Sequence, residues 1–183
     1  MRRLIFIFAL IASQAHASGL KIEIAGEGAN GAITIDLLEE TAPLHAERIT
    51  ALAREGAYDG VIFHRVIKGF MAQTGDIEFG KIGGDTSRAG QGGSSLPDLP
   101  QEFSKTLKFE KGVVGMARTS DPNSANSQFF IMLEEGYHLN GQYTVVGKVT
   151  SGMNVVSSIK LGNQQTGAVL GTPDMMKKVS IAP

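Results

Sequence analysis

The chain has 183 residues, 42% of them hydrophobic, with 17 Lys and Arg against 18 Asp and Glu and no cysteine. That length can bury a proper core as one domain without covalent staples, and the missing thiols exclude disulfides and thiolate metal sites. The formal net charge is −1 and the cations are dispersed, which argues against nucleic acid and against anionic lipid as partners.

At the start, Arg2 and Arg3 precede an apolar run from Leu4 to Ala12, followed by the small-x-small triplet Ala15-His16-Ala17. A basic start, a short apolar centre and a small-residue site read as a secretory signal peptide over residues 1–17, with a mature chain from Ser18. The run is too short for a membrane span, which needs about 20 apolar residues. Lack of cysteine does not argue against export when the core is adequate.

Two strands follow, Leu20 to Ala25 and Ala32 to Leu38, joined by a Gly/Asn-rich hairpin loop. Thr41 is the expected N-cap of a helix with Pro43 in its first turn; Leu44, Ile49, Leu52 and Ala53 share one face, and Gly56 ends it. Strands are expected over 61–67 and 70–74, then a glycine-rich surface loop from Gly80 to Gly93. Further strands are expected over 113–117, 128–133 and 144–149, and a second helix over Met153 to Leu161 with Gly162 past its end. A last strand, Lys177 to Ile181, returns to the first. Many short strands with two helices suggest a β-barrel or sandwich.

The chemistry concentrates in two segments. Val61-Ile62-Phe63-His64-Arg65-Val66-Ile67 sets one arginine in an apolar, β-branched strand, and Gly69-Phe70-Met71-Ala72-Gln73 then adds a ring, a thioether and an amide. An unpaired Arg on an apolar surface is costly; it snorkels to water, is paired, or is kept for a task. Asn126-Ser127-Gln128-Phe129-Phe130-Ile131 repeats the mixture of aromatics and one amide. In a strand Phe129 and Phe130 face opposite ways, so one ring enters the core and the other faces a groove.

Together these strings resemble the cyclophilins, the peptidyl-prolyl cis/trans isomerases. Thr41-Ala42-Pro43, Ala57-Tyr58-Asp59-Gly60, Gly115-Met116-Ala117-Arg118, Leu139-Asn140-Gly141-Gln142-Tyr143 and Val146-Gly147-Lys148-Val149 continue the likeness in order and spacing, over nearly all of residues 18–183. The resemblance implies a mainly β fold: a closed eight-stranded antiparallel barrel with an α-helix over each open end. It implies that Arg65, Gln73 and Phe70 are catalytic. It implies that Phe70, Met71, Gln73, Ala117, Arg118, Gln128, Phe130, Leu139 and Tyr143 bind substrate, with no metal and no cofactor. The implied partners are proline-containing peptides and unfolded or folding proteins; a monomer in the periplasm is the expectation.

Three positions depart from the animal pattern. Arg118 stands where many members have Asn, Tyr143 where His is common, and His138 where animal members carry the Trp associated with cyclosporin. Weak cyclosporin binding at most is therefore expected.

Other constellations carry less. His45 reads as a surface residue of the first helix, His64 as a hydrogen-bonded structural residue facing away from Arg65, and no ligand spacing for a metal is present. Gly83-Gly84 and Gly92-Gly93 lack the Gly-Lys-Ser/Thr of phosphate loops, and Gly-x-Ser-x-Gly is absent. The rival readings are a proline-recognising holding module and, with no appended partner domain to support it, an assembly subunit. Arg65 beside Gln73 and Phe130 favours the enzyme, since a binder needs no donor aimed at a prolyl nitrogen.

Overall fold

The computed structural model describes residues 19–182, and the signal peptide read over 1–17 lies outside them. β1 (Gly19–Ala25) and β2 (Gly31–Leu37) form an antiparallel hairpin in which buried Leu20, Ile22 and Ile24 alternate with exposed Lys21 and Glu23. The alternation is the pleat: successive side chains leave opposite faces, and only one face is covered. β9 (Met175–Ala182) pairs along the other side of β1, the returning last strand expected from the sequence.

The remaining strands are β3 (Val61–Ile62), β4 (Arg65–Ile67), β5 (Met71–Thr74), β6 (Val113–Met116), β7 (Phe129–Met132) and β8 (Val145–Ser151). They complete one sheet in the order β3-β9-β1-β2-β8-β6-β7-β5-β4. This corrects the expected closed eight-stranded barrel. The sheet is an open, curled half-barrel of nine strands, and its two ends are pieces of what the sequence predicts as a single strand over 61–67.

The strand breaks because its halves are claimed by different partners. Phe63 N–H donates to the Asp174 carbonyl, whereas the His64 carbonyl accepts from Val169 N–H. Loops then cover both ends of the sheet. Ile62 N–H donates to the Gly80 carbonyl beside β3, and Val66 N–H donates to the Gly167 carbonyl beside β4. Neither edge is left as a bare template for another chain.

α1 (Pro43–Arg54) lays Ala46, Ile49, Leu52 and Ala53 on the core. Its N-cap is Ala42 rather than Thr41, with no cap from its own side chain. A carboxylate from a distant loop does that work: Glu102 Oε1 accepts Leu44 N–H at 3.2 Å and Oε2 accepts His45 N–H at 3.1 Å. Negative charge is favoured at a helix N-terminus, where the backbone donors are unmet and the dipole is positive. The same Oε2 lies 2.6 Å from His45 Nδ1, so His45, expected at the surface, is 0% exposed and Leu44 is 42% exposed. The buried stripe is 45, 49, 52, 53, a proper helical spacing; a histidine holds its first position because a carboxylate meets it there. Gly56, at φ +69°, ends the helix in the left-handed conformation that costs glycine least.

α2 (Met153–Ser157) is shorter than the predicted 153–161. Buried Asp174 takes the N–H of Lys160 at 2.8 Å and that of Gly28 at 2.9 Å, which draws the chain out of the helical path.

Period two divides the sheet between two apolar clusters. Val66, Ala72, Phe129, Ile131, Val114, Met116 and Val146 join the main core with Ile22, Ile33, Ile35, Tyr58 and Phe63. Their chain neighbours Met71, Phe130, Met132, Val113 and Val145 join a smaller cluster with Phe109 and Leu139, and this second cluster floors the groove.

Candidate active site

A row of directly opposed residues crosses the groove side of the sheet. Arg65 lies opposite Gln73, Gln73 opposite Phe130, Phe130 opposite Gly115, and Gly115 opposite Val145. Opposed residues share a face, so four strands deliver an arginine, an amide, a ring and a gap in one line. The tight β4–β5 turn sets this register; Gly69 within it has φ +71°. Gly115 is the gap. A Cβ there would come within 2.5 Å of Phe130 Cζ and 2.6 Å of Phe109 Cε1. Its bare backbone lets those two rings stack at 5.7 Å between centroids.

The polar half of the site is a directed chain of hydrogen bonds. Arg65 Nη1 donates to Gln73 Oε1 at 3.3 Å, Gln73 Nε2 to Gln128 Oε1 at 2.9 Å, and Gln128 Nε2 to the Gly92 carbonyl at 2.8 Å. A guanidinium only donates and a carbonyl only accepts, so the two ends of the chain dictate how both amides are turned. Arg65 Nε also donates to the Thr166 carbonyl at 3.2 Å. The guanidinium is thereby held on two sides. Nη2 and the second N–H of Nη1 have no partner among the described residues.

The chain is anchored behind the site. Asp76, 0% exposed, accepts Glu78 and Phe79 N–H on Oδ1 and Gly90 and Gly92 N–H on Oδ2. These four donors satisfy a buried carboxylate without a counter-ion. They also pin the loop from 80 to 93 whose Gly92 carbonyl ends the amide chain.

The apolar half is a groove of about 330 Å³ lined by Arg65, Phe70, Met71, Gln73, Ala117, Arg118, Phe130, His138, Leu139 and Tyr143. Phe70 stacks on His138 at 5.4 Å and Phe130 meets the Tyr143 edge at 5.8 Å. The Arg118 guanidinium lies 4.4 Å over the Tyr143 ring. A hollow of about 180 Å³ adjoins the groove and shares Gln73, Ala117 and Arg118 with it.

Every residue expected to bind or act lines the groove except Gln128, which lines the adjoining hollow and reaches the groove through Gln73. Of the paired rings, Phe129 is in the main core and Phe130 in the groove cluster. Sequence reasoning gave no role to Gly115 or Asp76 and saw His138 only in relation to the drug. A glycine interrupting a strand is the sign of a close approach that could have found Gly115. Asp76 carries no such signal, because its partners are backbone groups of a loop.

His64 departs from expectation. It is 8% exposed, but neither ring nitrogen has a hydrogen-bond partner among the described residues. Burial pushes its pKa down to about 4; Asp76 nearby opposes this and the Arg65 charge adds to it. The ring is neutral at pH 7 and does not serve as an acid or base there.

Comparisons with known proteins bear on the family of the chain. The family model described as cyclophilin type peptidyl-prolyl cis-trans isomerase/CLD matches residues 20–182. A probable peptidyl-prolyl cis-trans isomerase of Brucella suis is 55% identical over 154 residues, 83% of this chain and 78% of the relative. A peptidyl-prolyl cis-trans isomerase of Streptomyces antibioticus is 37% identical over 153 residues, 79% of this chain and 86% of the relative. Among solved structures, a cyclophilin type isomerase of Cryptosporidium parvum superposes with a TM-score of 0.76 at 26% identity, covering 92% of this chain and 99% of that one. The same Cryptosporidium protein in the presence of the dipeptide Ala-Pro gives 0.74 at 27% identity, over 90% of this chain and 99% of that one. The chain belongs to the cyclophilin family of peptidyl-prolyl cis-trans isomerases.

Proposed function

We propose that this isomerase is exported and rotates X–Pro bonds of unfolded and folding proteins in the periplasm, with Arg65 as the donor that favours the twisted amide. An X–Pro bond resists rotation because the C–N bond has partial double-bond character; unaided, isomerisation takes about 10–100 s. No bond breaks, so no nucleophile is needed. The enzyme must bind the twisted amide better than either planar form. Twisting returns a lone pair to the prolyl nitrogen, and a fixed guanidinium can donate to it.

Reaching milliseconds takes about four decades, or roughly 5–6 kcal/mol. One preorganised charged donor contributes about 3–4 kcal/mol. The remainder falls to the pocket of Phe70, Met71, Phe130 and Leu139, which would grip the ring while the preceding carbonyl swings. Gln73 holds the donor, and its own second N–H, with that of Gln128, is available to substrate peptide groups. Ala117, Arg118 and Tyr143 would form the opposite wall, and cyclosporin would bind weakly at most.

The single observation that carries the reading is a guanidinium held on two sides beside an apolar groove, with N–H groups to spare. Exchange spectroscopy on an Ala-Pro peptide with catalytic amounts of protein tests it: cis and trans signals exchange faster. Peptide binding without faster exchange would make the protein a holding module. Export is supported by the pattern of residues 1–17. Osmotic-shock fractionation of a Gram-negative host and N-terminal sequencing should yield a species starting at Ser18; an unprocessed cytoplasmic product counts against it.

A further inference from the structure

We infer that Arg118 is a specificity residue that favours substrates carrying an acidic side chain close to the proline. This rests on the isomerase reading of the groove. Arg118 lines both the groove and the adjoining hollow, so a peptide continuing from one to the other must pass it. The two cavities are lined by two cations, Arg65 and Arg118, and by no carboxylate. None of the ion pairs among the described residues involves either arginine.

The Arg118 side chain is also fixed in place. Nε and Nη2 donate to the Gln142 carbonyl at 3.1 and 2.8 Å, and Nη1 donates to the Thr119 carbonyl at 2.8 Å. Tyr143 supports the plane from one side. Neutral carbonyls position the guanidinium without cancelling its charge. The second N–H of Nη2 has no partner among the described residues. A cation already ordered on its own protein loses little entropy when a carboxylate arrives.

No carboxylate lines the hollow. Thr119 and Ser124 present hydroxyls 2.7 Å apart. Asp98 and Asp121 do not line the hollow; Asp98 accepts from Asn126 Nδ2 and Asp121 from Asn123 N–H. A Glu or Asp of the substrate would therefore be the first counter-ion of Arg118, while a Lys would meet an unscreened like charge.

The test is kcat/KM on X–Pro peptides in which Glu, Gln or Lys occupies one position at a time on either side of the proline. At one position the wild type should prefer Glu over Gln by roughly three- to tenfold and over Lys by roughly tenfold or more at low salt. The preference should shrink as salt rises and appear chiefly in KM. Arg118→Gln should bring the Glu and Lys peptides close together, while Arg118→Lys, which keeps the charge, should preserve their order. Equal turnover of Glu and Lys peptides by the wild type at every position, or an undiminished preference in Arg118→Gln, overturns the proposal and leaves the isomerase standing. No turnover of any peptide would overturn the isomerase reading along with it.

Discussion

The main core and the cluster beneath the groove are made by the same strands, yet they are built differently. The core face collects aliphatic side chains around Tyr58, Phe63 and Phe129, and the Tyr58 hydroxyl is satisfied internally by the Ser127 carbonyl at 2.9 Å. The groove face collects Met71, Met132, Phe109, Phe130 and Leu139, then ends in partly exposed Arg65, Phe70, Gln73 and Tyr143. Met and aromatic side chains adapt to a partner and give large contact areas. One pleat thus separates the main core from the groove cluster at single-residue resolution. Phe129 and Phe130, adjacent in the chain, should report on opposite halves of the molecule.

The largest effects should come from breaking that separation directly. Phe129→Ala removes a ring 1% exposed in the core and should cost about 3–5 kcal/mol of unfolding free energy. The fraction that remains folded should keep its kcat/KM. Phe130→Ala should cost less stability and mainly raise KM. Denaturant unfolding and peptide kinetics on both variants decide this; a pair that behaves alike would show that the groove face is merely more core.

Arg65→Ala should lower kcat/KM by about two to three decades, the loss of one preorganised donor. Unfolding should change by no more than about 1 kcal/mol, because the side chain is partly exposed. Arg65→Lys should rescue poorly, since a point charge cannot reproduce the fork. A variant keeping more than about a third of wild-type turnover would remove Arg65 from its assigned role.

Cyclosporin sharpens the comparison on the groove wall. His138 stacks on Phe70 where the resemblance places a Trp, so a large apolar surface and its indole donor are missing. The drug should bind about two to three decades more weakly than to a Trp-bearing animal member. His138→Trp should recover affinity in a parallel titration; no gain would mean that the 137–143 segment does not meet the drug as the family does.

The smallest effect concerns His64, on the far side of the same strand end. Its folded pKa, about 4, lies below the ordinary 6.5. Between those values the unfolded chain binds the extra proton, so stability is full above pH 6.5 and falls as pH drops toward 4. The loss should be about 3 kcal/mol, and His64→Phe should remove most of it in unfolding curves taken across that range. Activity should stay flat between about pH 6 and 8, because the guanidinium does not titrate there. A limb in that window would show that a titrating side chain takes part in the reaction.

How much of this was legible in the chain depends on where each partner lies. The groove lining was implied by the resemblance to the cyclophilins, whereas the strands, their alternation and the opposite facing of Phe129 and Phe130 could be read from local pattern. These follow from period two and from neighbours in sequence, which a linear chain records. Four features could not be read. The strand break at Phe63 and His64 exists because Asp174 and Val169, more than a hundred residues on, claim the two halves. His45 is inside because Glu102 waits there, the buried His64 ring has no hydrogen-bond partner among the described residues, and Asp76 anchors a loop through backbone donors alone. Arg118 belongs with them: its position in the motif was visible, but the Gln142 carbonyl that clamps it comes from a separate loop. The amino-acid sequence by itself determined which side chains of the strands share a face. Only the tertiary structure decided which charges find a partner, because hydrogen bonds and ion pairs act over a few ångströms in space and take no account of distance along the chain.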